Sequence, residues 1–172
     1  MDFCWNTICC LTDETVLGTG GHSIQPPQKK VRAILVRKDG KIAVMYEEKT
    51  GLYALPGGGI EDGEDETAAL HREIFEEAGC SCDTVIPLGI VSENRYHADV
   101  TRLSYFFIVH TKSEISTPHF TEEEIALGTS LQWHLPEEAL RLIKDTVHDT
   151  PQRKFLQTRD VAALNAYNSR IH

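Results

Sequence analysis

Between Val100 and His110 an extended pattern carries apolar side chains on both faces, with Leu103, Tyr105, Phe107 and Val109 on one side and Phe106 and Ile108 on the other. Successive residues of a strand point to opposite faces, so a strand apolar on both sides has to be covered on both sides. This places it in the middle of a sheet rather than at an edge. Other extended segments can join it. Val31 to Val36 is almost continuously apolar, Asp39-Gly40 supplies the residues of a tight hairpin turn, and Lys41 to Tyr46 returns as a second strand. Leu52 to Leu55, Thr84 to Glu93 and Leu131 to His134 read as further strands.

Helical segments lie between and after these strands. Asp65 is suited to cap a helix that ends at Ala78, with acidic residues in its first turn and Gly79 as its stop. Pro136 opens a second helix running to about Lys144, and Pro151 to Asn168 forms a third, with Phe155, Leu156, Val161, Leu164 and Tyr167 at helical spacing. Strands that bury both faces, interleaved with three helices, imply an α/β fold: an α/β/α sandwich around a central mixed sheet. Residues 1–29 are expected to form an arm with one short strand, because Gly18 to Gly21 and Pro26-Pro27 break any long element. Residues 30–172 are expected to form a single domain that includes the C-terminal helix.

Composition narrows the partners. The formal charge of −9 repels polyphosphates and nucleic acid alike unless a cation intervenes, so long nucleic acid is not expected. No apolar run approaches the roughly 20 residues of a membrane span. The first ten residues lack the basic start and apolar core of a secretory signal, so a cytoplasmic protein is expected. Five cysteines, Cys4, Cys9, Cys10, Cys80 and Cys82, form no paired CxxC spacing and are read as reduced thiols.

The chemistry concentrates on the helix after Gly57-Gly58-Gly59. Glu73, Glu76 and Glu77 stand at i, i+3 and i+4, about a 100° arc of one helical face. Like charges so crowded call for a counter-ion, and a hard divalent cation with oxygen ligands, magnesium in particular, suits them. A lone ExxEE is most often a solvated helix face. Here Gly58, Glu64, Arg72 and Gly79 accompany it at fixed intervals, a coincidence expected about once in 10^8 windows.

The segment Gly58 to Cys80, GGIEDGEDETAALHREIFEEAGC, resembles the box of the Nudix (MutT-like) hydrolases, G-x5-E-x7-R-E-U-x-E-E-x-G-U with U a bulky aliphatic. The one departure is Cys80 at the last position, where a thiol serves as a small hydrophobe. With the flanking strands the likeness covers about residues 30 to 145. It implies a hydrolase that splits a phosphoanhydride bond in a nucleotide-like substrate with Mg2+, or Mn2+ in its place. Glu73, Glu76, Glu77 and the Gly58 carbonyl are implied as metal ligands, Arg72 as the partner of a box carboxylate, chiefly Glu73, and Glu64 and Gly79 as structural supports. The general base is left open between Glu73 and a later acidic loop, where Glu123 and Glu124 are the candidates.

Selectivity has to come from residues outside the box. Tyr96 stands where diadenosine-polyphosphate hydrolases of the family carry a tyrosine and is a candidate for stacking on adenine. Asn94 and Arg95 stand where many ADP-ribose hydrolases carry a proline. Nucleoside triphosphates and dinucleoside polyphosphates are therefore the favoured substrates. His97, beside Tyr96, is the histidine nearest the expected cleft. A homodimer through the C-terminal helix is one expected arrangement, and a nucleotide sensor without turnover is the alternative to an enzyme.

Overall fold

The computed structural model describes residues 5–171, with residues 113–115 described in backbone alone; Cys4 lies outside this range. Its elements are β1 (Thr7–Thr12), α1 (Asp13–Leu17), β2 (Gln28–Val36), β3 (Ile42–Glu47), β4 (Leu52–Ala54), α2 (Glu66–Ala78), β5 (Cys80–Arg95), β6 (Val100–Ile115), α3 (Glu122–Leu127), β7 (Thr129–His134), α4 (Pro136–Asp145) and α5 (Pro151–Ile171). The strands form one mixed seven-stranded sheet in the order β1-β5-β6-β2-β3-β4, with β7 also paired to β3.

The two-faced strand is central. β6 runs antiparallel to β5 on one side and parallel to β2 on the other. Its Tyr105, Phe107 and Val109 join Val31, Ala33 and Leu35 of β2 under α2, where Ala69, Leu70 and Ile74 close the layer. Its Phe106 and Ile108 join Ile34 and Val36 beneath α4 and α5, which contribute Ala139, Ile143, Phe155, Ala163 and Leu164. The pleat thus sorts alternate residues into two separate cores.

The expected hairpin is present: Gly40 adopts φ 79, and Arg37 N–H donates to the Lys41 carbonyl at 2.9 Å. Past it the sheet divides. β3 keeps β7 along one edge from Ile42 to Glu47, while its other edge meets β2 only at Ile42 and then β4 from Met45 to Glu47. The gap left between β2 and β4 is lined by the chain leaving β4. Pro56 and Gly58 carbonyls accept from Ala33 and Val31 N–H at 2.9 and 3.0 Å, and Ile60 N–H donates to the Lys29 carbonyl at 3.2 Å.

The N-terminal segment is more built in than an arm with one strand. β1 lies parallel to β5 from Thr7 opposite Ile90 to Thr12 opposite Asn94. It leads into α1, whose cap Thr12 and third residue Thr15 exchange hydrogen bonds as a capping box. Trp5 packs edge-on against Tyr105 and Phe107, with ring centroids 5.0 Å apart in both cases. Among the described residues five α-helices stand where three were expected, the additional ones being the short α1 and α3. No helix among the described residues is long and apolar enough to cross a membrane.

Candidate active site

α2 begins and ends as its sequence dictates. Asp65 accepts from Ala68 N–H at 2.8 Å, and Gly79 at φ 61 donates to the Phe75 carbonyl at 3.0 Å. A side chain at Gly79 would stand 2.2 Å from the Ser116 carbonyl, so this glycine serves both the helix stop and a close crossing of the chain.

Arg72 organises the carboxylates. Its Nε and one terminal nitrogen each donate to Glu64, at 2.8 and 2.9 Å, in a bidentate pair; the same terminal nitrogen reaches the Gly59 carbonyl at 2.9 Å. The other terminal nitrogen donates to Glu73 at 2.9 Å and to Glu76 at 3.3 Å. Glu73 is thus one of three carboxylate partners, and Glu64 is the principal one. The reason is geometric: the planar guanidinium fork matches both oxygens of Glu64, which arrives from the loop with Glu61 N–H also on it at 3.0 Å. The hydrogen bonds from Arg72 hold the Glu64 carboxyl down at about 2.

Glu73 is 9% exposed, and its carboxylate lies against the Cα of Gly58; a Cβ there would sit 2.2 Å from Oε1. Burial raises its pKa, opposed by the hydrogen bond from Arg72. Glu77 lines the gap between β2 and β4 and accepts from Gly57 N–H at 2.5 Å. Burial pushes its carboxyl up to about 8, against the pull of Arg32. Glu76 is the most exposed of the three, with 45% of its side chain open. The Gly58 carbonyl already accepts from Val31, leaving one lone pair for any other donor or ion.

These groups suit a hard divalent cation. They offer oxygen donors only, two of the carboxylates with their charge disfavoured by burial, beside a glycine that keeps the approach free of a side chain. Among the described residues no three His, Cys, Asp or Glu side chains converge into a ready-made cage.

The gap forms a cleft of about 160 Å³. Arg32, Glu47, Glu77, Glu124, Thr129 and Arg159 supply its polar lining, Met45, Leu55 and Leu156 part of its apolar lining, and no aromatic ring among the described residues lines it. Glu124 therefore reaches the cleft while Glu123 does not. The acidic loop expected around them is instead the short helix α3: Thr121 caps it, and Glu124 accepts in return from Thr121 N–H at 2.7 Å and from its hydroxyl at 2.8 Å. Thr-x-x-Glu is the capping-box spacing, and it outweighs the acidic run. Tyr96 is not brought to the cleft. It lies in a 3-10 turn with its ring over Gly21, where a Cβ would stand 2.0 Å away, and is 52% exposed. His97 is held by buried Asp13, which accepts from its backbone N–H at 2.6 Å and lies 2.9 Å from Nδ1.

Sequence reasoning missed the opposite wall. Arg159 and Asp160 of α5 are buried at 1% and 0% exposure; Asp160 accepts from Arg159 Nε at 2.7 Å and from Leu55 N–H at 2.9 Å, tying α5 to the start of the glycine loop. Arg32 faces them from β2. The signal available in sequence was an arginine inside the apolar run Val31 to Val36, on a strand whose faces are both covered.

Comparison with known proteins agrees with this architecture. The chain belongs to the NUDIX domain family, whose model matches residues 26–158. Diphosphoinositol polyphosphate phosphohydrolase 3-alpha of Mus musculus is 27% identical over 108 residues, 63% of this chain and 62% of the mouse protein. The 3-beta protein of Bos taurus is 27% identical over 121 residues, 70% of this chain and 69% of its own length. The chain thus spans less than two thirds of the mouse relative's length. Among solved structures, the NUDIX domain of Shewanella oneidensis NrtR, complexed with ADP ribose, superposes with a TM-score of 0.63 at 15% identity, covering 87% of this chain and 91% of that domain. The E. coli ORF135 protein gives a TM-score of 0.59 at 23% identity, with coverages of 84% and 91%. At these identities the likeness concerns the fold.

Proposed function

We propose that the protein is a magnesium-dependent hydrolase that splits a phosphoanhydride bond in a small nucleotide-like or otherwise phosphorylated substrate. The observation that carries this reading is the Arg72 clamp, which fixes Glu64, Glu73 and Glu76 on one guanidinium while Gly58 leaves space at the Glu73 carboxylate. Glu73, Glu76 and Glu77 would hold Mg2+, with Mn2+ able to use the same donors. The bound cation supplies charge neutralisation of the phosphates and a more acidic water. The chain's own residues then orient and exclude. Arg72 prevents Glu73 and Glu76 from swinging apart, Gly57 N–H directs Glu77 into the cleft, and α5 closes the far wall through Asp160. Glu124, beside Glu77, is better placed to take a proton from attacking water than Glu123, which does not line the cleft. The relatives' names, phosphohydrolases of diphosphoinositol polyphosphates, support anhydride chemistry at phosphorus.

A phosphate-release screen with Mg2+ over nucleoside triphosphates, dinucleoside polyphosphates, ADP-ribose and nucleotide sugars tests the reading, with Glu76→Gln run alongside. Turnover that falls on the order of 10²-fold or more in the variant, and that vanishes with chelator, is expected. Silence across the panel with nucleotide binding intact would favour a sensor without turnover instead.

A further inference from the structure

An acidic chain has carboxylates to spare, yet one face of its sheet holds cations without partners. Arg37, Arg72, Arg95, Arg153 and Arg159 each have a carboxylate within 4 Å. Lys30, Arg32 and Arg102 have none among the described residues. Arg32 is limited to a 3.4 Å contact with the Val31 carbonyl, and its Nε is buried without a hydrogen-bond partner. Arg102 reaches only the side-chain oxygen of Gln28, at 3.3 Å. All three are partly buried. Cations so placed are costly, because their desolvation is offset only by carboxylates beyond ion-pair distance, Asp160, Glu77 and Glu73 for Arg32, Glu93 for Arg102 and Glu73 for Lys30.

Their arrangement is ordered by strand register. Lys30 and Arg32 are two apart on β2 and so share a face. Arg102 of β6 stands opposite Gln28, one step further along the same face, and Ser104 opposite Lys30 adds no charge. The row starts at the box: Lys30 pairs backbone to backbone with Gly59, its Nζ 3.3 Å from where a Cβ of Gly59 would be, and Arg32 shares the cleft with Glu77. Of the nearby carboxylates, Asp160 bonds Arg159 at 2.7 Å, and Glu93, which stands opposite Arg102 in the β5–β6 register, bonds Arg95 at 2.7 Å through one oxygen while its other oxygen is buried without a hydrogen-bond partner. Burial and mutual repulsion lower the pKa of Lys30, with Arg102 and Arg32 the main repelling neighbours.

We propose that Lys30, Arg32 and Arg102 form an anion subsite that receives phosphate groups of the substrate other than those held at the box carboxylates. The substrate class is then a densely phosphorylated small molecule, recognised by charge on both sides of the bond that breaks, rather than by stacking of a base, for which the cleft offers no ring. This deepens the hydrolase reading and rests on it for the word substrate, but the subsite binds without the metal. Clustered phosphates occur on a polyol ring or along a linear chain, and the two are separated by the choice of probe.

The test is calorimetric titration of the metal-free protein, in chelator, with inositol hexakisphosphate and with inorganic tripolyphosphate. Wild-type protein is expected to bind at least one of them, the preferred probe telling ring from chain. Lys30→Gln and Arg102→Gln are each expected to weaken that binding about tenfold, while Lys30→Arg keeps it. Variants qualify only if their unliganded melting matches the wild type. Absence of binding to both probes by the wild type overturns the subsite without recourse to any variant, as does unchanged affinity in Lys30→Gln and Arg102→Gln. The two readings fail separately. Magnesium-dependent turnover without metal-free polyanion binding removes the subsite alone, whereas polyanion binding that Lys30→Gln weakens, without turnover of any anhydride, removes the hydrolase alone.

Discussion

Arg72 and Arg32 stand on opposite sides of the same glycine loop and are treated in opposite ways. Arg72 is saturated: every nitrogen of its guanidinium donates, to Glu64, Glu73, Glu76 or the Gly59 carbonyl. Arg32 is left with one weak backbone contact and a buried, unpartnered Nε, and burial lowers its pKa to about 10. A saturated cation is part of the scaffold and has nothing left for a ligand. An unsatisfied one keeps donors free, and the carboxylates of Asp160, Glu77 and Glu73 act on Arg32 only at a distance. On the readings proposed above, the box helix is the side that would take a cation and the β2 face the side that would take an anion.

The contrast breaks most visibly at Arg72. Arg72→Lys retains the charge but loses the fork that grips Glu64 while touching Glu73 and Glu76. Its kcat with Mg2+ is expected to fall on the order of 10²-fold, since small displacements of positioning groups cost that much. Steady-state kinetics at saturating substrate would check it, and a kcat within about threefold of wild type would show that the clamp is not needed for chemistry. Asp160→Ala comes next. It strands the buried Arg159 charge and the Leu55 N–H together, and loss of one partner of a buried pair costs about 3–5 kcal/mol. Urea unfolding monitored by circular dichroism should show a lowered midpoint with little change in slope. An unchanged midpoint would mean that α5 is held to the glycine loop by its apolar contacts alone.

Why the first side of this comparison could be read in the sequence and the second could not follows from where the interactions close. The clamp lies between Gly58 and Gly79, so spacing along one helix and its preceding loop carries it. The same holds for the Asp65 cap, the Asp39-Gly40 hairpin and the two-faced β6. Arg32 meets its neighbours only after β2 and α5 are brought together, and Asp160 bonds a residue 105 positions away. No local period announces such a contact. β1 was expected as a short strand, but its pairing with β5 depends on equally distant residues. α3 was legible and was passed over, because a run of three glutamates reads as a solvated loop until Thr121 and Glu124 are recognised as a capping box. Tyr96 is the reverse case: its sequence distance from the box suits a base-stacking role, while the turn that carries it directs the ring onto Gly21.

A further test concerns the electrostatic state of the box side. The Glu77 carboxyl is raised from 4.5 to about 8, burial being the main cause. A carboxyl raised on folding stays protonated in the native state at a pH where the unfolded chain has already released its proton. Its contribution to stability is therefore fully present below about 4.5 and is lost as pH rises toward about 8. Metal-free protein should accordingly lose stability between these limits, and Glu77→Gln, which cannot ionise, should flatten that part of the profile. Magnesium should act in the opposite sense, stabilising more at the alkaline end, because the ion takes the deprotonated carboxylate. Thermal melts in chelator and in Mg2+ across the interval, for both proteins, decide the matter. Parallel profiles for wild type and Glu77→Gln would place the titrating charge elsewhere in the cluster, and the box helix would then be no less relaxed without its cation than Arg72 is within its own hydrogen bonds.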